Sequence, residues 1–112
     1  MFCHEGPGHK LDRIWTIRTD GTKLTKIHTR TMDREIAGHE FFSADGKMIW
    51  YDLQTPKGKE LWLAGVEIAT GKPTRYKVAS EHWSVHFNVT PNGKVFAGDG
   101  GGPSSVAAPG NG

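Results

Sequence analysis

One stretch of this chain occurs twice, 47 residues apart. His39-Glu-Phe-Phe-Ser-Ala-Asp-Gly-Lys47, running on into Met-Ile-Trp-Tyr-Asp52, returns as His86-Phe-Asn-Val-Thr-Pro-Asn-Gly-Lys94, running on into Val-Phe-Ala-Gly-Asp99. The same offset relates Gly46 to Gly93 and Ile14-Trp15 to Leu61-Trp62. A repeat of this length with strand and turn content is the signature of a β-propeller blade. Equivalent positions of successive blades lie around one axis, so two histidines in register look toward the same place.

Turn-forming pairs recur at Asp20-Gly21, Asp45-Gly46, Thr70-Gly71 and Asn92-Gly93. Asp-Gly and Asn-Gly favour the positive φ angles of two-residue hairpins. Between them, runs rich in β-branched and aromatic residues at 13–19, 24–29, 48–53, 60–68, 74–78, 84–89 and 94–97 read as strands. No segment carries a helical period with caps, and 31–38 reads as a connection between blades. With strands A to D counted outward from the axis, the expected fold is all-β: a β-propeller fragment of about two and a quarter four-stranded blades, cut in mid-blade at both ends. Residues 1–30 supply B, C and D of one blade, 39–79 a complete blade, and 84–99 A and B of the next. The propeller part ends at 102, and 103–112, made of Gly, Pro, Ser, Ala, Val and Asn, reads as a loop or disordered tail. A blade cannot bury both faces without neighbours, so missing blades are expected to close the ring.

Bulk properties narrow the function classes. Fourteen basic and twelve acidic side chains are interspersed, net +2, which leaves no basic stripe for nucleic acid. The single cysteine, Cys3, excludes an internal disulfide. No apolar run approaches the roughly 20 residues that span a bilayer. Met-Phe-Cys-His-Glu-Gly lacks the signal-peptide pattern, and a cytoplasmic location is the expectation, with the true N-terminus upstream. Gly100-Gly-Gly-Pro103 is not followed by Gly-Lys-Ser/Thr and is not read as a phosphate loop. Asn88-Val-Thr90 is followed by Pro91 on an expected strand and is set aside as a glycosylation site.

Among the six histidines, His28 falls in an outer strand and reads as a surface residue, while His9 and His82 fall in loops. His39 and His86 begin the innermost strands of adjacent blades, at the mouth of the central channel. Taken singly, each is a hydrogen-bonded structural residue; in register, they outline a shared site. Two imidazoles do not complete a metal site, which needs three or more ligands. Glu5, Asp52 and Asp99 occupy one equivalent place, and for Asp52 and Asp99 the favoured reading is an acidic residue capping a turn or bonding to loop amides.

Phe2-Cys-His-Glu-Gly-Pro7, Arg13-Ile-Trp15, Asp20-Gly-Thr22, Gly38-His-Glu-Phe41 with its Asp45-Gly46 turn, and Gly98-Asp-Gly100 resemble the oligogalacturonate lyases over most of residues 1–102. The resemblance implies a seven-bladed propeller that degrades pectin fragments. Such enzymes cleave short 4-linked galacturonate chains by β-elimination with a divalent metal, typically manganese. It places His39 on a metal ligand and brings His4, Glu5 and His86 near the site as substrate contacts. The family's other ligands, a glutamine and two closely spaced histidines, belong to a later blade, and no Gln-x-x-His-x-His occurs here. The catalytic base falls before Met1. Lys10, Arg30 and Arg34 are candidates to bind further substrate carboxylates. Gly8-His9-Lys10 and Asp33-Arg-Glu-Ile-Ala37 depart from the best-known members. The expected activity belongs to the complete propeller, not to these 112 residues alone. The competing readings are a non-catalytic propeller that binds a ligand or protein at its mouth, and the propeller part of a peptidase. A Gly-x-Ser-x-Gly elbow, the mark of the latter, is absent from these residues.

Overall fold

The computed structural model describes residues 1–7 and 13–100. Within them lie nine strands and one turn of 3₁₀ helix, Ser80–His82. β1 (Phe2–His4), β2 (Arg13–Thr16) and β3 (Thr25–Thr29) form the first sheet. β4 (Ile36–Phe42), β5 (Met48–Gln54), β6 (Leu61–Glu67) and β7 (Pro73–Val78) form the second. β8 (Phe87–Val89) and β9 (Phe96–Gly98) form the third. Neighbouring strands are antiparallel and follow chain order throughout. Ile14 of the first sheet packs with Ile49, Tyr51 and Val66 of the second, and Phe96 of the third packs on Trp50 of the second. Consecutive meanders stacked face to face are propeller blades, and the fold is that of a β-propeller fragment. The tail 103–112, Gly101 to Pro103, and the loop carrying His9 and Lys10 lie outside the described residues.

The repeated turns share one geometry, and it is not the two-residue hairpin that Asp-Gly and Asn-Gly suggest. The Ser43 amide bonds the Met48 carbonyl at 3.0 Å, and the Thr90 amide bonds the Val95 carbonyl at 2.9 Å. Each therefore closes a four-residue loop. Asp45 Oδ1 accepts the Lys47 amide at 3.0 Å, and Asn92 Oδ1 accepts the Lys94 amide at 3.1 Å. The side chain thus turns the backbone by an Asx bond, so only Gly46 (φ 70°) and Gly93 (φ 71°) need the left-handed region. Ser43 Oγ and Thr90 Oγ1 complete each loop by bonding the same Asp45 and Asn92 oxygens.

β5 is central. Its inner residues Ile49 through Leu53 are all buried. Ile49, Tyr51 and Leu53 join Ala64 and Val66 against Ile14, with Ile27 and Met1 at the margin. Trp50 and Asp52 point the other way, toward the third sheet. Gly65 on β6 lies opposite Trp50 and leaves room for its indole; a Cβ there would stand 2.5 Å from Cζ3.

The first seam also holds polar groups. His28, expected at the surface, is 11% exposed and bonds Glu35 Oε1 through Nε2 at 2.7 Å. Its Nδ1 accepts the Tyr51 hydroxyl at 3.1 Å. Glu35, 1% exposed, accepts the Thr31 hydroxyl at 2.7 Å and the Thr31 amide at 3.3 Å. The outer strand of one blade is covered by the next, so its polar residue is interior and must find partners. Burial pushes the Glu35 carboxyl up, but the hydrogen bonds from His28 and Thr31 outweigh it and hold it below 4.5.

Two outcomes follow. Gly65→Ala overpacks the Trp50 contact and is expected to destabilise the chain by about 1–3 kcal/mol in urea denaturation. A depressed carboxyl contributes stability that is whole above its unfolded value of 4.5 and is lost as pH falls through its lower folded value. The stability gap between native chain and Glu35→Gln is therefore expected to narrow as pH falls below 4.5 in pH-resolved denaturation. Other carboxyls titrate alike in both proteins and cancel in the difference. A gap that widens toward acid would contradict the assignment.

Candidate functional site

His39 stands where β4 breaks its ladder with β5. Gly38 pairs Asp52 and Phe41 pairs Trp50, so β4 carries one extra residue. Regular alternation would put His39 opposite Tyr51, facing the first sheet. The bulge and a left-handed backbone (φ 50°) turn it instead to the side of Asp52. His39 Nδ1 meets Asp52 Oδ1 at 2.5 Å. A non-glycine residue in this region costs of order 1–3 kcal/mol, which the surrounding ladder must hold in place.

Asp52 is buried inside β5, not at a turn, which corrects the capping expectation. Burial raises its carboxyl above the ordinary value, and the His39 contact only partly opposes this. Oδ2 has no hydrogen-bond partner, although the Gln54 side chain lies near enough to favour the charged form.

Thirteen residues also separate His86 from Asp99, and the same pair forms again: His86 Nδ1 bonds Asp99 Oδ2. Residues 84–86, expected as strand, instead wrap around that carboxylate. Asp99 Oδ1 accepts Ser84 Oγ at 3.1 Å, the Val85 amide at 3.2 Å and the His86 amide at 3.3 Å. The expected loop-amide bonding therefore holds for Asp99, with the imidazole added. Gly98 and Gly100 have no room for a Cβ against Ser84 and Trp83, so the Gly-Asp-Gly run lets this loop close down. The His86 hydrogen bond, against slight desolvation and with the loop donors, holds the Asp99 carboxyl far below its ordinary range.

The two rings meet edge to face, 4.2 Å between centroids. They are 47% and 60% exposed. Each Nδ1 is taken by a carboxylate, which selects the Nδ1–H tautomer and leaves the Nε2 lone pair for a ligand. Carboxylate–histidine pairing of this kind supports metal-binding imidazoles. An unprotonated imidazole Nε2 is a suitable ligand for a divalent cation. Among the described residues, no group of three or more His, Cys, Asp or Glu is arranged to hold a metal.

The other expected contacts are dispersed. His4 is exposed on β1 opposite Arg13, and Glu5 follows it, exposed. Arg30 bonds the Asp33 carboxylate at 2.7 Å and the Met32 carbonyl at 2.7 Å. Arg34 sits at φ 57° between β3 and β4, its carbonyl bonded by the Lys57 amide. The pairing of each histidine with the acid thirteen residues on was available in the repeat, since both members recur at 47.

Asp52→Asn is expected to shift His39 from the Nδ1–H toward the Nε2–H tautomer, because the amide can donate where the carboxylate only accepts. Long-range ¹⁵N–¹H correlation of the imidazole reads this directly, and an unchanged tautomer would show that Asp52 does not set it.

No protein-family model and no curated protein sequence matches the chain. A solved structure, oligogalacturonate lyase in complex with manganese, matches 89% of this chain at a TM-score of 0.71 with 29% identity. The chain spans 26% of that enzyme's length. Among the described residues, no helix is long and apolar enough to cross a membrane. Over the matched part the chain is similar in fold and in sequence to an oligogalacturonate lyase, a β-propeller.

Proposed function

We propose that this chain contributes adjacent blades to a lyase that degrades short pectin fragments, cleaving 4-linked oligogalacturonate by metal-assisted β-elimination. The carrying observation is the juxtaposition of two in-register His–Asp pairs, with both Nε2 atoms open, on a fold similar to an oligogalacturonate lyase.

The reaction removes the weakly acidic C5 proton beside a uronate carboxylate and expels the 4-linked sugar. A divalent cation, manganese in the similar enzyme, would neutralise that carboxylate and make the C5 proton more acidic. His39 is the ligand this chain offers, its Nε2 kept unprotonated because Nδ1–H is committed to Asp52. His86 Nε2 is an acceptor at the same opening and takes a substrate hydroxyl. His4 and Glu5 are further substrate contacts in this proposal. The remaining ligands and the base belong to other blades, so turnover is a property of the complete ring.

A chimera tests this. Residues 1–100 of this chain replace the matching part of the manganese-bound lyase. The chimera is expected to cleave trigalacturonate, followed by the ultraviolet absorbance of the unsaturated product. His39→Ala in the chimera is expected to weaken manganese binding by more than the roughly 10- to 100-fold that loss of a supporting partner costs. Turnover is expected to fall with it. Unchanged metal content and rate in His39→Ala would overturn the assignment and favour a non-catalytic propeller that binds its ligand at the same mouth.

A further inference from the structure

The seam between the first and second blades opens into a cleft of about 390 Å³, on the opposite face of β5 from the His39–His86 pair. It is lined by the hydrogen-bonded chain Tyr51–His28–Glu35 and by the apolar Leu53, Ala64 and Pro73. Arg75 on β7 stands at its edge.

Three observations bear on what the cleft takes. First, Arg75 has no carboxylate within ion-pair distance among the described residues. Its guanidinium lies over the Trp62 ring, 4.5 Å from the centroid. A stacked guanidinium keeps its N–H edge available, in the planar fork that suits a carboxylate. Second, both Glu35 oxygens are engaged by His28 or Thr31 and the residue is almost wholly buried, so the acid is directed away from a ligand. Third, desolvation, with the Glu35 charge adding and the Arg75 charge opposing, pushes the Tyr51 hydroxyl up to about 12. It therefore stays protonated and committed to His28. The groups left facing the space are a cation and apolar side chains. The volume suits one small organic molecule.

We propose that this cleft is a second binding site, for a small ring-bearing monocarboxylate, its carboxylate held by Arg75 and an apolar face of its ring packed on Leu53 and Pro73. A buried Tyr–His–Glu chain serves such a site by keeping its polar lining rigid while the apolar residues accept the ligand's apolar face. The site is read from geometry alone; only the choice of a uronate as probe rests on the function proposed above.

The test uses the whole chain and titrates D-galacturonate, followed by the Trp62 indole N–H resonance, which is fixed by its 2.7 Å bond to Thr55 Oγ1. Trp62→Phe assigns the signal. A saturable shift is expected in the native chain and equally in His39→Ala. Arg75→Gln is expected to raise Kd by about tenfold or more, the scale of one charge-assisted contact. Arg75→Lys, which keeps the charge, is expected to bind more tightly than Arg75→Gln. Neutral D-galactose is expected to bind at least about tenfold more weakly than the uronate. Binding lost in His39→Ala but kept in Arg75→Gln would place the ligand at the histidine pair and overturn the cleft. Equal binding of galactose, or no saturable shift, would overturn it as well. Failure of the cleft leaves the chimera experiment untouched, and an inactive chimera leaves this titration untouched.

Discussion

Burial of β5 on both faces is the constraint on which the rest of the structure depends. A strand with neither face in water must be apolar on both sides or must supply a partner for each polar group it carries. Ile49, Tyr51 and Leu53 satisfy the first seam, and Trp50 with its glycine gap satisfies the second. Asp52 is the exception. An unpartnered buried charge would cost about 3–5 kcal/mol, more than the roughly 1–3 kcal/mol of a left-handed His39. The bulge therefore persists because it brings the imidazole to the carboxylate. Apolar residues at both positions would hold the blades together as well or better. The pair is thus a poor device for stability and a good one for orienting an imidazole.

The two histidine pairs repeat in sequence but not in electrostatics. Asp52 is enclosed, and burial raises its carboxyl; Asp99 is half exposed, surrounded by donors, and lies far below its ordinary range. Burial works against the charge on Asp52, while the donors around Asp99 favour a full negative charge behind His86. Two equivalent nitrogens at one opening therefore differ in the charge that backs them. Such asymmetry suits a site in which one imidazole binds a cation and its neighbour meets substrate.

How much of this was legible beforehand depends on the kind of constraint. The 47-residue offset, the turn pairs and the aromatic runs give blades, because strand period and turn chemistry are local. The histidines emerged as a shared site for the same reason. The bulge was not legible: nothing in Gly-His-Glu-Phe distinguishes a ladder with an extra residue from one without. Nor was the burial of His28, since the blade that covers it comes from residues 36–78, and only contact across the seam shows an outer-strand histidine to be interior. The four-residue loops were misread as tight hairpins because Asp45 and Asn92 act through side chains rather than through their own φ angles.

Polar chemistry in this chain collects at seams between blades, and sheet twist accounts for where. Twisted sheets stacked about an axis meet closely over their middle strands and diverge toward their edges. Over the middle, Ile49 and Val66 pack against Ile14 and exclude water. Toward the axis, the inner-strand ends carry His39 and His86 across the second seam, close enough for ring contact. Toward the rim, β3 and β7 part and leave the cleft of the first seam between them. At each opening a carboxylate fixes an imidazole: Asp52 and Asp99 inside, Glu35 outside. Each of these acids takes an imidazole from its own blade or the next, and Asp99 and Glu35 add hydroxyl and amide donors from their loops. The same geometry that limits apolar contact at the seam edges thereby generates oriented imidazoles there, one kind facing the channel and the other the rim.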